Sequence, residues 1–172
     1  RMAYPFTLTS VKNGYYCHSQ HRGVASLRRR SSVPAIFLNA KAARVNAICN
    51  NQWVEVTSHY GQACFMARID DTLADDTIVA EFGWWESCEP LGKPAFAVEG
   101  KRTSNFNVLV SADERDPISG SVAHKAVPCR IAPLHGSEAA PWSGFRRAFV
   151  TELQRESDTA LSVAVALPDG GL

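Results

Sequence analysis

Short apolar segments separated by turn-forming residues run through most of the chain, and this pattern limits the fold more than any other feature. Residues 4–10 (YPFTLTS) are rich in β-branched and aromatic residues, as strands usually are. Similar segments are AIFLN, IVAEFGWW, SNFNVLVS and AVPCRIAPL. Many short strands favour a closed β-barrel over a parallel α/β sheet. The pattern therefore predicts a mainly β fold.

Two local signals add a hairpin and a short helix. Residues 52–58 (QWVEVTS) alternate apolar and polar positions, a turn follows at Gly61, and ACFMARI returns, which predicts a β-hairpin. Asn39 precedes AKAARVN and is a suitable N-cap for a helix. We expect Asn46 to end this helix in the left-handed conformation, which Asn tolerates better than most residues.

The composition argues against several classes of protein. With 172 residues, of which 45% are hydrophobic and 20% charged, the chain has the profile of a globular domain. A formal net charge of +1 argues against a uniformly basic nucleic-acid-binding protein. The five cysteines form no CxxC pair, which is more typical of reduced thiols in the cytoplasm than of a disulfide framework. No apolar run approaches the roughly 18 residues of a membrane span, so we expect a cytoplasmic domain that binds neither nucleic acid nor membranes.

The C-terminal part of the chain differs from the rest. Residues 132–144 (APLHGSEAAPWSG) have the composition of a linker, and the segments after them alternate like the two strands of a hairpin. An isolated hairpin is marginally stable, so we expect it to belong to a neighbouring domain. We therefore divide the chain into a compact domain at 1–132, a linker at 133–144 and the truncated start of a second domain at 145–172. A flexible extension is the alternative interpretation of this last part.

The most polar stretch is residues 15–32 (YYCHSQHRGVASLRRRSS), which follows the first predicted strand. It contains Arg22 and the cluster Arg28, Arg29 and Arg30. Arginines can hold phosphate groups by charge-assisted hydrogen bonds, and nearby tyrosines can stack on flat rings. The same residues can instead form a solvated loop that keeps the protein soluble. Composition leaves both interpretations open.

The usual sequence signatures of catalytic and metal sites are missing. Neither GxSxG, GxGxxG nor GxxxxGK[ST] occurs. Cys17 and His18 are adjacent, so on an extended segment their side chains point in opposite directions. Together with His21 they supply fewer ligands than the four of a structural zinc site. We therefore expect neither a catalytic residue nor a metal ligand in this chain.

Five segments in one order carry a resemblance to a known family. They are YPFTLTSVKNGYYCHSQHR, SLRRR, IFLNAKAARVNAICNNQWVEVTSHYGQACFMARI, IVAEFGWW and SNFNVLVSADERDPISGSVAHKAVPCRI. Over residues 3–132 the chain resembles the C-terminal molybdopterin-dinucleotide-binding domain of the bis-pterin molybdenum oxidoreductases, which include formate dehydrogenases, nitrate reductases and dimethyl sulfoxide reductases. The resemblance implies a six-stranded double-psi β-barrel, to which the sequence pattern adds one or two short helices.

The resemblance also implies a set of cofactor-binding residues, at the end of the first strand, in the polar stretch after it and around the later segment NVLVSADERDPISG. The predicted residues are Thr9, Ser10, Lys12, His18, Ser19, Gln20, His21, Arg22, Arg28, Asn105, Asn107 and Lys125. Many relatives carry Gly-Arg where this chain has Ser10 and, shortly after it, Lys12. Trp84 either lines the edge of the cofactor or belongs to the core.

The implied function is to hold part of a molybdopterin guanine dinucleotide, with its molybdenum, in a larger electron-transferring enzyme. In this family the metal's protein ligand and the iron-sulfur cysteines come from other domains, so the chain alone should be inert and bind no cofactor. The remaining domains of its own parent polypeptide are the expected partners. The segment GFRRAFVTELQRESDTALSVAVALPDGG resembles the first hairpin of ferredoxin-reductase-type flavin domains, which implies FAD or FMN bound in the parent beyond residue 172.

Two further functions stay open. A double-psi barrel can act as a protein-interaction or substrate-recruiting module, as in the N-terminal domains of certain AAA ATPases. Such a module would have no need for phosphate donors both in residues 15–30 and near Asn107. Binding of single-stranded nucleic acid by Arg and Tyr is the third possibility, and it is disfavoured because the rest of the chain is not basic.

Overall fold

The computed structural model describes residues 3–135, 149–155 and 161–166. The chain divides into two compact units, Arg1–Trp142 and Ser143–Leu172. Most of the predicted linker at 133–144 lies outside the described residues, and the three-part division made from the sequence stays a prediction. None of the helices in the described ranges is long and apolar enough to cross a bilayer.

The first unit contains a closed six-stranded barrel. Its strands are β1 (Phe6–Val11), β2 (Ala35–Leu38), β3 (Trp53–Thr57), β4 (Gln62–Ile69), β5 (Thr77–Glu81) and β6 (Val127–Pro133). Their order around the barrel is β1-β5-β2-β4-β3-β6. The pairs β1–β5 and β2–β4 are parallel and the other pairs are antiparallel. The predicted mainly β, six-stranded barrel with one or two short helices is confirmed.

Alternation along the strands separates the core from the outer face. On β1, Phe6, Leu8 and Ser10 are buried, whereas the residues between them are more exposed. The inward positions of the other strands are apolar, and together they form one cluster of buried side chains. Such a core fixes the register, because a shift by one residue would exchange the two faces of a strand. The hairpin predicted around Gly61 is β3–β4, closed by a hydrogen bond of 2.9 Å from the Ser58 N–H to the Gly61 carbonyl.

Within the described part of the chain, two α-helices and two 3-10 helices connect the strands. They are α1 (Ala25–Arg30), α2 (Ala40–Val45) and the 3-10 helices Glu89–Leu91 and Phe106–Leu109. The Asn39 side chain accepts a hydrogen bond of 2.7 Å from the Ala42 N–H, so the predicted N-cap of α2 is confirmed. The polar stretch at residues 15–32, which the sequence suggested to be a loop, contains α1.

Two local predictions were wrong. Asn46 is not left-handed, because its φ is −99°; Ala47 takes that conformation instead, with φ of 53°. The Asn46 side chain donates to the Ala42 carbonyl at 2.8 Å, which stabilises the helix end without a left-handed Asn. The segment around Asn107 is not the start of a strand but the 3-10 helix Phe106–Leu109, which buries Phe106 and Leu109.

The second unit contains a β-hairpin. Strands β7 (Phe149–Arg155) and β8 (Leu161–Ala166) pair antiparallel, with a register irregularity between Val150 and Glu152. The hairpin expected from the alternating tail is therefore present. Its assignment to a flavin domain stays a prediction.

Candidate functional site

Two adjacent cavities bring together residues from four distant parts of the chain. The first, about 220 Å³, is called the lysine cavity; it is lined by Ser10, Lys12, Phe82, Phe106, Asn107, His124 and Lys125. The second, about 330 Å³, is called the tryptophan cavity; it is lined by Ser19, Phe82, Gly83, Trp84, Trp85, Val98, Asn105 and Asn107. Phe82 and Asn107 line both cavities, so the two form one candidate site.

The lysine cavity lies where β1 ends. The Ser10 N–H donates to the His124 carbonyl at 3.0 Å, and the Lys125 ammonium donates to the Ser10 carbonyl. These bonds hold the segment before β6 against the end of β1. Lys12 has no acidic partner within the described ranges, and no acidic residue lines the cavity. The cavity is therefore positively charged and suited to an anion.

The tryptophan cavity depends on the segment that follows β5. Gly83 has a φ of +78°, and a Cβ at this position would come within 2.7 Å of the Ser19 Cα. The Trp85 indole N–H donates to the Ser19 carbonyl at 3.0 Å, while 48% of Trp85 remains exposed. Only Gly combines this backbone with so close an approach. The two segments therefore fit together and leave an indole ring accessible at the cavity.

The asparagines at the shared wall have different roles. The Asn105 side chain accepts from the Asn107 N–H at 3.0 Å and donates to the Val98 carbonyl at 2.9 Å, so it caps the 3-10 helix. The Asn107 side chain is exposed and makes no hydrogen bond within the described part of the chain. Its amide can therefore both donate to and accept from a ligand.

Arg22 and Arg28 lie behind these cavities and are fully buried. Arg22 donates to the carbonyls of His18 at 2.8 Å and Phe82 at 2.7 Å, and thus connects the polar stretch to the end of β5. Arg28 donates to the Ser32 carbonyl at 3.0 Å. The guanidinium carbons lie 4.8 Å and 4.9 Å from the centroid of the Trp84 ring.

Each of these arginines keeps one buried N–H group without a hydrogen-bond partner in the described structure, Nε of Arg22 and Nη2 of Arg28. Cation–π attraction to the Trp84 ring offsets part of the cost of burying these charges. Burial lowers the pKa of both guanidinium groups, although arginine stays charged at any ordinary pH. We call Tyr16, Arg22, Arg28, Glu81 and Trp84 the arginine–tryptophan cluster.

Glu81 supplies the negative charge of this cluster. Its carboxylate accepts from the Asn13 amide at 2.7 Å, the Trp84 indole at 2.9 Å and the Ala35 N–H at 3.3 Å. Burial raises the pKa of Glu81, and the three hydrogen bonds and the charge of Arg22 oppose that rise. The carboxylate therefore links β2, β5 and the segment after β1 at one buried point.

The structure distributes the predicted site residues in three ways. Those that line the two cavities are Ser10, Lys12, Ser19, Asn105, Asn107 and Lys125. Thr9 lies on the outer side of β1, and His18, Gln20 and His21 are exposed in the loop. Arg22 and Arg28 are enclosed and bonded to main-chain carbonyls rather than presented on the surface. Cofactor contact by any of these residues stays a prediction.

Sequence reasoning missed several residues of the site. Phe82, Gly83 and Trp85 belong to the FGWW run, whose Gly between bulky aromatic residues was the available signal. His124 also lines the lysine cavity, with its ring 5.8 Å from that of Phe106. Trp84 is buried and also lines the tryptophan cavity, and its contact with a cofactor stays a prediction. Within the described ranges, no three His, Cys, Asp or Glu side chains are placed to hold a metal ion.

Comparison with known proteins identifies the family. A profile described as "Molydopterin dinucleotide binding domain" matches residues 6–128, which include the whole barrel up to the start of β6. The chain belongs to this family. The resemblance seen in the sequence is thereby confirmed for the molybdopterin dinucleotide-binding domain.

Relatives of this molybdopterin dinucleotide-binding domain are much longer proteins. Dopamine dehydroxylase from Eggerthella lenta is 30% identical over 129 residues, which are 74% of this chain and 12% of that protein. An uncharacterized oxidoreductase from Eggerthella lenta matches to the same extent. Acetylene hydratase from Pelobacter acetylenicus has the same fold, with a TM-score of 0.64 and 20% identity over 75% of this chain and 18% of its own. The chain thus spans about the length of one domain in these proteins.

The donor set of the two cavities fits a pterin dinucleotide. Such a group combines a pyrophosphate with flat rings that carry many hydrogen-bonding atoms. Lys12 and Lys125 offer two cations, and Asn107 and Ser19 offer an amide and a hydroxyl. The accessible Trp85 ring offers a surface for stacking. The site of this molybdopterin dinucleotide-binding domain therefore contains the chemical groups that its family name requires.

Proposed function

We propose that the chain holds part of a molybdopterin guanine dinucleotide in a larger molybdenum-dependent oxidoreductase and performs no chemistry alone. The observation that supports this most is the position of Lys12 and Lys125, two cations from distant parts of the sequence at one cavity without an acidic lining. Neither forms an ion pair within the described ranges. Two such cations suit a pyrophosphate, because charge-assisted hydrogen bonds are roughly twice as strong as neutral ones.

Each residue of the site has a definite role in this proposal. Lys12 and Lys125 contact the pyrophosphate, Asn107 and Ser19 bond polar ring edges, and the Trp85 indole stacks on a ring. When bound, the group supplies the redox chemistry, and the residues of this chain bind and orient it. The barrel suits this task because its hydrogen-bonded strands fix the positions of the loops that carry the donors.

The proposal extends to the parent protein. Because the chain spans 12% of the curated relatives, the remaining domains of the parent polypeptide are its partners and supply the catalytic residues and the electron-transfer centres. Residues 145–172 begin a flavin domain that binds FAD or FMN beyond residue 172. The five free cysteines agree with a cytoplasmic parent. The substrate is decided by domains outside this chain.

Cofactor content of the parent protein tests the proposal. Molybdenum and nucleotide released on denaturation are measured in the wild type, in Lys12→Met/Lys125→Met and in the control Lys41→Met. Lys41 is exposed on α2, where it pairs with Asp75. We expect guanine nucleotide in proportion to molybdenum in the wild type and the control. Loss of a close charge pair costs about 2 kcal/mol or more, so both contents should fall roughly tenfold or more in the double variant.

Three other results would argue against the proposal. Unchanged contents in the double variant would remove the lysines from the site. Release of a nucleotide other than guanine would show that the cofactor is a different pterin dinucleotide, although the residues assigned to the site would stay the same. A wild-type parent without molybdenum that binds a second protein through residues 15–30 would favour the interaction or recruiting module.

A further inference from the structure

A third cavity of the described structure lies beside the candidate site. It has a volume of about 450 Å³ and shares only Lys12 with the lysine cavity. Its walls include Phe37 of β2 and Arg68 of β4, which are paired across the parallel strands and belong to the outer face of the barrel. We call it the outer cavity. Nothing in the proposed cofactor site uses its other residues.

Three cations face the outer cavity without a partner. They are Lys12, Arg30 at the end of α1 and Arg68, and none of their side chains forms an ion pair or hydrogen bond within the described residues. Arg68 is partly buried, so its charge is less well solvated than that of a surface arginine. Arginine is the favoured cation for ion pairs at interfaces, so this side chain suits a surface that pairs with another domain.

Two carboxylates line the same cavity, but each is already engaged. Asp70 accepts from the Thr72 N–H at 3.0 Å and from the Thr72 hydroxyl at 2.6 Å. Glu81 accepts from the Asn13 amide, the Ala35 N–H and the Trp84 indole. Arg30 and Arg68 therefore remain available, and the two carboxylates make the cavity mixed in charge. A small free anion would meet repulsion from the two carboxylates, whereas a longer segment can place one carboxylate next to the cations and keep apolar atoms elsewhere.

Apolar side chains form another part of the outer cavity. Val33, Phe37 and Ile69 line it, and 51% of Tyr15 is exposed at its rim. An apolar wall with an accessible aromatic ring and adjacent arginines has the composition of a protein interface, in which Tyr and Arg are enriched. The outer cavity is therefore suited to a segment in which an acidic residue stands next to an apolar one.

We propose that the outer cavity is a docking surface for an acidic segment of another domain of the same parent polypeptide, with a carboxylate of that segment paired to Arg30 and Arg68. The inference rests on the proposed larger parent, most of which lies outside this chain, as the 12% coverage of its relatives indicates. The carboxylate satisfies the two arginines, and apolar atoms of the segment cover Phe37 and Tyr15.

Hydrogen exchange at Ser32 and Val33 tests this proposal. These residues line the outer cavity, and their N–H groups make no hydrogen bond within the described part of the chain. Exchange is measured in the 172-residue chain and in the parent protein. We expect these amides to exchange roughly tenfold or more slowly in the parent, because a docked segment excludes water from them. Equal exchange in the two proteins would overturn the proposal.

Charge variants of the parent identify the chemistry of the occupant. Arg68→Glu and, as an independent variant, Arg30→Glu should restore fast exchange at Val33, while the control Arg44→Glu on the exposed side of α2 should not. If exchange at Val33 stays slow in both cavity variants, the docked segment is not acidic and the proposal is wrong. If added inorganic phosphate slows exchange at Val33 in the 172-residue chain, the occupant is an anion and not an acidic segment. If a higher concentration of the chain slows it, the occupant is a second copy of the chain.

The same preparations separate this inference from the proposed function. Molybdenum and nucleotide contents should remain at the wild-type level in the Arg44→Glu parent and should be measured in every variant. If the wild-type parent contains molybdenum and guanine nucleotide but its outer cavity exchanges freely, the docking proposal fails alone. If the parent lacks the cofactor but protects Val33, the proposed function fails and the docking surface stands.

Discussion

The guanidinium group of Arg22 lies over the indole ring of Trp84, with its central carbon 4.8 Å from the ring centroid. This contact joins the polar stretch after β1 to the segment after β5, and both segments line the tryptophan cavity. The geometry of the candidate site therefore depends on buried charges that contact no solvent.

Replacement of Arg22 by Lys should destabilise the chain. Arg22 donates to the carbonyls of both His18 and Phe82, and a single ammonium group cannot reproduce this planar arrangement. We expect the free energy of unfolding to fall by about 2 kcal/mol, the cost of leaving a buried acceptor without its donor. Urea denaturation of Arg22→Lys and of the exposed control Arg29→Lys measures this. Equal midpoints for the two variants would contradict the role given to Arg22.

Gly83→Ala should cost more than an ordinary substitution of a left-handed glycine. Gly120 is the matched control, because its φ of +70° is close to the +78° of Gly83 but its Cβ would meet nothing within 4 Å. Gly120→Ala should therefore cost only the conformational penalty of about 1 kcal/mol. Gly83→Ala should exceed this value, since its Cβ would overlap Ser19, and thermal unfolding compares the two. Similar losses for both variants would show that Ser19 does not pack against Gly83.

The buried carboxylate of Glu81 predicts a pH dependence of stability. Burial raises its pKa in the folded chain above the ordinary value of 4.5, so the folded chain binds this proton more tightly than the unfolded chain. Its contribution to the free energy of unfolding is therefore complete below pH 4.5 and declines as the pH rises through the folded pKa. The difference in unfolding free energy between wild type and Glu81→Gln should decrease over that range. A difference that grows with pH would contradict the raised pKa.

The cysteines should fall into two classes of reactivity. Cys17 and Cys49 are exposed, whereas Cys64, Cys88 and Cys129 are buried. Burial raises the pKa of Cys64 to about 11 and that of Cys129 to about 12, so their reactive thiolate forms are scarce at neutral pH. A thiol reagent followed by mass spectrometry should label the first two in the folded chain and all five after denaturation. Rapid labelling of Cys129 without denaturant would show that the barrel opens.

Features of the fold with local causes could be predicted from the sequence. The cap at Asn39 needs only its own side chain and the next turn, and the β3–β4 hairpin needs only adjacent segments. The left-handed residue was assigned one position too early, to Asn46 instead of Ala47, because residue type alone does not give the helix end. The 3-10 helix at Phe106–Leu109 was read as a strand, because the apolar residues Phe106, Val108 and Leu109 suit either conformation.

The candidate site was predicted in part. The resemblance named Lys12, Asn107 and Lys125, which come together only through the barrel topology. Sequence could not show that Arg22 and Arg28 are enclosed, because their partner Trp84 lies far away along the chain and arginine clusters are usually solvated. Composition gives no signal for such a partner, so the buried cations were grouped with exposed ones.

One substitution tests the central claim of an anionic cofactor at the shared wall of the two cavities. The Asn107 side chain is exposed and has no hydrogen-bond partner in the described part of the chain. Asn107→Asp keeps its shape and adds one negative charge. Asn50→Asp is the control, because Asn50 is exposed elsewhere and its oxygen still accepts from the Ile69 N–H. Molybdenum and nucleotide released from the parent protein are measured in both. The account predicts that both contents fall roughly tenfold in Asn107→Asp and not in Asn50→Asp, because the new carboxylate repels the anionic cofactor. Equal contents in the two variants would contradict it.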